Sequence, residues 1–156
     1  HTEIQNASRE QVPSEQEMRG WIKAALVGRT TRQQLEVCVR LVDGDEMAQL
    51  NANYRDKKGP TNVLSFPADL PPDVESPLLG DIVICAPVVL AEAVQQGKSA
   101  DAHWAHMTVH GTLHLLGYDH IKEEEATTME ALESTILRDL NYNCPYTLPQ
   151  PCEKTT

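Results

Sequence analysis

Aromatic side chains are scarce in this chain of 156 residues, with one Phe, two Trp and four Tyr, and Leu, Ile, Val and Ala supply most of the apolar character. No uncharged apolar run approaches the roughly 18 residues a membrane-spanning helix needs, so the chain reads as soluble, with no membrane among its partners. No basic segment running into an apolar stretch opens it, which leaves no secretory signal and points to the cytoplasm. Cys38, Cys85, Cys144 and Cys152 have no Cys-x-x-Cys spacing, and the first two sit in strand-like apolar runs where a thiol behaves as a small hydrophobe. Reduced thiols are the expectation.

Basic residues are few as well, 13 against 23 acidic ones for a net charge of −10, which argues against indiscriminate nucleic-acid binding and against a DNA partner. The deficit is uneven. Residues 1–66 carry nine basic and nine acidic side chains, whereas 67–156 carry four and fourteen. A local basic surface stays open, and Arg55, Lys57 and Lys58 form its densest piece. There is no internal repeat or low-complexity stretch, and the length suits one domain over 1–156, its end at 143–156 a flexible tail holding Pro145, Pro149 and Pro151.

Histidine, by contrast, is concentrated. Five of the six lie between His103 and His120, and three stand in the phrase His110-Gly111-Thr112-Leu113-His114-Leu115-Leu116-Gly117-Tyr118-Asp119-His120. Two histidines four apart on a helix project from one face a turn apart, so both imidazoles reach one ion. Gly117 accepts the left-handed backbone that ends helices, which folds the chain back and brings His120 beside the pair. Three neutral imidazoles leave a fourth tetrahedral position for water, the arrangement of a catalytic zinc, one ion per chain. The same donors accept nickel, copper or iron. A histidine pair on an apolar helix also has a plain reading as core or surface chemistry, and the third histidine after the glycine is what favours metal. His103 and His106 read as scaffold. Asp119 either orients the neighbouring ligand or bonds the amides of its turn.

Ser14 with Glu17 is a capping box before Met18, Trp21, Ile22, Ala25 and Leu26, which predicts a helix over 15–27. Leu35, Val37, Val39 and Leu41 alternate with polar residues as in a strand. Asp43 and Glu46 suggest a second capping box, opening a helix that turns Met47, Leu50 and Tyr54 inward and ends near Arg55. Val63 to Phe66 is a strand stopped by Pro67, residues 67–78 an irregular loop, and Ile82 to Cys85 a strand introduced by Gly80-Asp81. Asp81 there is either a strand-end residue or a partner in a cleft. Pro87 and Gly97 bound a helix, Ser99 caps the histidine helix, and a last helix from Glu123 turns Met129, Leu132, Ile136 and Leu140 to the core. This order predicts an α+β fold, a small mixed sheet packed with about five helices around a buried central helix that carries the metal-binding histidines.

The stretch from His103-Trp104-Ala105-His106-Met107 to His120 closely resembles the signature of the YbeY family of bacterial endoribonucleases, the rRNA maturation factors. Tyr54-Arg55, Pro60-Thr61-Asn62-Val63-Leu64-Ser65-Phe66-Pro67 and Leu79-Gly80-Asp81-Ile82-Val83-Ile84 resemble its other motifs in order and spacing, from about Leu35 to Leu140. The resemblance implies a zinc-metalloproteinase-like shape, His110, His114 and His120 as metal ligands, and Arg55 in the active cleft. It also implies cleavage of single-stranded RNA, with rRNA precursors, the small ribosomal subunit and its assembly proteins as partners, in 3′-end maturation of 16S rRNA and ribosome quality control. The family motif usually has aspartate where this chain has Asn62, whose amide keeps a hydrogen-bonding role. Asn62 and Ser65 join Asp81 and Asp119 as candidates around the cleft.

Two competing readings follow from single features. In zinc peptidases of the His-Glu-x-x-His type the residue after the first histidine is the base, and here it is Gly111, so a peptidase or other hydrolase is the weaker alternative. The acidic balance and the missing base support a ribosome-assembly or RNA-binding factor with a structural zinc. For Arg55 the plain alternative is a helix-end arginine paired with a carboxylate.

Overall fold

The computed structural model describes residues 2–27, 36–55, 59, 61–68, 78–118 and 123–142. Its elements run β1 (Thr2–Asn6), α1 (Glu15–Leu26), β2 (Glu36–Val42), α2 (Gly44–Arg55), β3 (Val63–Pro67), β4 (Leu78–Cys85), α3 (Ala86–Gln95), α4 (Ala100–Leu115) and α5 (Glu123–Asp139). The fold is mixed α+β, as the element order predicts, with a four-stranded sheet and five helices among the described residues.

Local chemistry accounts for most of these boundaries. The Ser14 hydroxyl accepts the Glu17 N–H at 3.1 Å and Glu17 returns a bond to the Ser14 N–H at 3.4 Å, so the predicted box starts α1. Met18, Trp21, Ile22 and Ala25 are then buried at helical spacing. At α2 the expected box does not form. Asp43 instead accepts the Ser8 hydroxyl at 2.7 Å and the Arg9 N–H at 3.2 Å, and Glu46 takes the Arg40 guanidinium in a fork at 2.6 and 3.0 Å. Met47 is buried, but Tyr54 is 67% exposed rather than turned inward, its ring edge-on to Phe66.

The strands order β1-β2-β4-β3, the first three parallel and β3 antiparallel to β4 at the edge. β1 departs from the sequence expectation, which opens on a helix: Thr2 to Asn6 pair with Val37 to Leu41 although Ile4 is their one strongly apolar residue. β4 also begins earlier than expected, at Leu78, so Asp81 lies within the strand opposite Cys38 and Phe66. Of the expected loop 67–78, residues 69–77 lie outside the described set, as do Leu35, Lys57, Lys58 and the expected tail from Asn143 with Cys144 and Cys152. No helix among the described residues is long and apolar enough to cross a membrane.

Strand alternation divides the core. Val37, Val39, Leu41, Ile82 and Ile84 pack with Met18, Trp21, Trp104, Leu113, Met129 and Ile136 on the side of α1, α4 and α5. Val42, Val83, Cys85 and Leu64 pack with Met47 of α2 on the other. α4 touches α1, α3, α5, β3 and β4, which makes it the buried central helix that the sequence predicts.

Candidate metal centre

Ser99 starts α4 by accepting the Ala102 N–H at 3.1 Å, and a left-handed glycine ends it. Gly117 has φ +103°, its N–H reaches the His114 carbonyl at 3.0 Å, and the Tyr118 N–H reaches that of Leu113 at 3.1 Å. These paired bonds are the Schellman ending that glycine permits. From His103 onward every residue of α4 is buried except His110 and His114. From His103 on, the helix is thus enclosed, and it opens to solvent where the histidine pair stands.

Across that opening the Nε2 atoms of His110 and His114 lie 3.1 Å apart. Two imidazole nitrogens at this separation fit adjacent ligand positions on an ion held at about 2.0–2.1 Å from each. Behind them stands a residue that the sequence reading missed, because α5 was expected to supply a core face and nothing else. Glu133, 1% exposed, takes the His110 Nδ1 at 2.9 Å and the His106 Nε2 at 3.0 Å on one carboxylate oxygen, Oε1. The signal was present: Glu133 falls four residues from both Met129 and Leu137 on a buried stripe, and a buried carboxylate requires partners. Burial pushes its pKa up, but the hydrogen bonds from His106 and His110 outweigh that and hold it at about 2. Burial lowers the pKa of His106 against the pull of Glu133, so a neutral imidazole donates to a carboxylate. His106, His110 and Glu133 together form a group that could hold a metal ion, with donor atoms all within 4.8 Å of one another.

Gly111 explains how α4 reaches the sheet. A Cβ there would meet Ile82 Cγ2 at 2.9 Å, Ser65 Oγ at 3.2 Å and Val63 Cγ2 at 3.3 Å. The position after the first histidine faces strands, not solvent, so a glutamate has no room there. Ser65 donates to the Gly111 carbonyl at 3.0 Å, tying β3 to the helix turn that carries His110. Asn62 donates through Nδ2 to Glu92 at 3.1 Å, and the same carboxylate takes His103 Nε2 at 2.8 Å. An aspartate at position 62 has no proton for that bond when ionised, so the amide suits its place near the start of β3. Asp81 lies on the α2 side of the sheet with Val83 and Cys85, away from the α4 side. Arg55 ends α2, but its side chain, together with Asp119 and His120, lies outside the described residues.

Burial lowers the pKa of His103 from 6.5, against the pull of Glu92. The folded protein keeps this ring neutral where the unfolded chain takes up a proton, so the stability it contributes is present above about pH 6.5 and is lost as pH falls below it. The urea midpoint should drop between about pH 7.5 and 5.5, and drop less in His103→Gln, which takes no proton. Equal slopes for the two proteins would remove His103 as the cause.

Comparison with known proteins matches residues 3–141 to the family described as Endoribonuclease YbeY. The chain belongs to the endoribonuclease YbeY family. An endoribonuclease YbeY from Cellvibrio japonicus (strain Ueda107) is 57% identical over 141 residues, covering 90% of this chain and 79% of that one. Another, from Pseudomonas syringae pv. syringae (strain B728a), is 55% identical over 145 residues, covering 92% and 86%. The YbeY match takes in β1 and α1 as well as the motifs from Leu35 onward. The solution structure of TM1509 from Thermotoga maritima shares the fold, with a TM-score of 0.58 at 21% identity over 90% of this chain and 92% of that one.

Proposed function

We propose that this YbeY family member is a zinc-dependent endoribonuclease that cuts single-stranded RNA, acting on rRNA precursors at the 16S 3′ end and in ribosome quality control. The observation that carries the metal reading is the His110–His114 Nε2 pair, 3.1 Å apart at the two positions after Ala102 where α4 is not buried. His110 and His114 are the ligands, and His120, a few residues beyond the Gly117 turn, is the third. An ion bound there supplies Lewis acidity, bringing the pKa of a water toward neutrality and offsetting charge on a phosphoryl oxygen. Arg55 contributes phosphate binding, since a guanidinium donates two parallel hydrogen bonds to a phosphate and stabilises charge as it develops. The enclosed position of Gly111 counts against a peptidase, because no base can stand beside His110 as it does in His-Glu-x-x-His enzymes. The small ribosomal subunit and its assembly proteins are the partners in the cytoplasm.

Purified protein incubated with a single-stranded rRNA precursor should release 3′-end fragments, leave duplex RNA intact, and stop when a chelator removes the ion. Elemental analysis of the same preparation should find about one zinc per chain. Metal-replete protein that leaves every precursor uncut would sink the nuclease reading.

A further inference from the structure

We infer that Glu133 is a positioning residue for the metal centre and not one of its ligands: its Oε1 takes N–H groups from two successive turns of α4 and so fixes which nitrogen of His110 presents a lone pair. The inference rests on the proposed reading of His110 and His114 as ligands.

A neutral imidazole has one N–H and one lone pair, and an ionised carboxylate only accepts. With Nδ1 of His110 at 2.9 Å from Oε1, the proton belongs on Nδ1, which leaves the lone pair on Nε2. That lone pair points toward Nε2 of His114, 3.1 Å away. His106 supplies the second bond to the same oxygen at 3.0 Å, so the carboxylate is gripped from two positions four residues apart on one helix. The ring of His110 is thereby set in tautomer and in orientation before any ion arrives. A carboxylate behind a ligating histidine also raises the basicity of the ligand nitrogen.

Exposure separates this role from direct ligation. Glu133 and His106 are 1% and 6% exposed, so an ion among His106, His110 and Glu133 would be shut away from substrate. It would also take the nitrogens that now donate to Oε1. The His110 side chain is by contrast 19% exposed, and its Nε2 faces the half-buried His114. One ring thus faces a buried carboxylate with one nitrogen and its partner histidine with the other.

Zinc affinity, measured by competition with a chromophoric chelator, tests the inference. Glu133→Gln should bind zinc about 10- to 100-fold more weakly, while X-ray absorption at saturating zinc finds the same count of nitrogen and oxygen neighbours as in the unsubstituted protein. Unchanged affinity in Glu133→Gln alongside weakened binding in His114→Ala overturns the positioning role alone. Loss of an oxygen neighbour in Glu133→Gln makes Glu133 a ligand and overturns it as well. Unchanged affinity in His114→Ala overturns the ligand reading on which it rests. If Glu133→Gln fails to fold, 15N NMR of the unsubstituted, metal-free protein decides the matter: the Nδ1–H tautomer of His110 is expected, and the Nε2–H tautomer refutes the inference.

Discussion

RNA cleavage by a His114→Ala protein should fall by about 10³-fold or more, to the rate left after chelation. Lewis-acid stabilisation of the transition state is worth several kcal/mol, and about 4 kcal/mol corresponds to that factor. His114 is the better position for this test than His110. Removing His110 also takes away a bond to the buried Glu133 carboxylate, which mixes a folding loss with the catalytic one. His114 is half-buried in the last turn of α4, and alanine is the best helix former, so the variant should melt close to the unsubstituted protein. Cleavage of single-stranded RNA, zinc content and a thermal melt on one preparation check the three parts. Undiminished cleavage by a folded, zinc-poor His114→Ala protein would put the chemistry elsewhere.

Gly80→Ala should be the most damaging single-methyl substitution for stability, at about 3–5 kcal/mol. A Cβ there would stand 2.5 Å from the Phe66 carbonyl oxygen, 2.7 Å from Leu115 Cδ2 and 3.0 Å from Pro67 Cα. Two of those atoms are backbone of the neighbouring strand and cannot swing aside. Overpacking of this kind costs about 1–3 kcal/mol, and a side chain held at φ +154° adds about 1–3 more. Urea unfolding would measure the loss, and a midpoint within error of the parent protein would contradict the packing. Leu115 follows His114 directly, so a displaced β3–β4 contact should also weaken zinc binding.

Features set by near neighbours in the chain were readable from the sequence. The Ser14–Glu17 box, the Ser99 cap, the Gly117 ending and the four-residue spacing of His110 and His114 each depend on a few consecutive residues. β1 was not readable, since Thr2-Glu3-Ile4-Gln5-Asn6 has little apolar pattern and its partner is β2, beyond α1. Tyr54 shares helical spacing with Met47 and Leu50, yet periodicity marks a face and not where the covering surface ends. Asp43 and Glu46 had the residue types of a capping box, but Ser8, Arg9 and Arg40 compete for them from other elements. The candidate centre divides in the same way. Its histidine pair is local, whereas Glu133 on α5 and Ser65 on β3 reach it only through tertiary packing.

The bond from His110 to Glu133 also sets an order of events during synthesis. The two residues are 23 positions apart, and α4 leaves the ribosome before α5. At about 5–20 residues per second, the paired imidazoles emerge from the ribosome roughly 1–5 s before the carboxylate that bonds His110. On the proposed reading, a newborn chain would meet metal ions first with His110 loosely held, and firm retention would wait until the last helix docks.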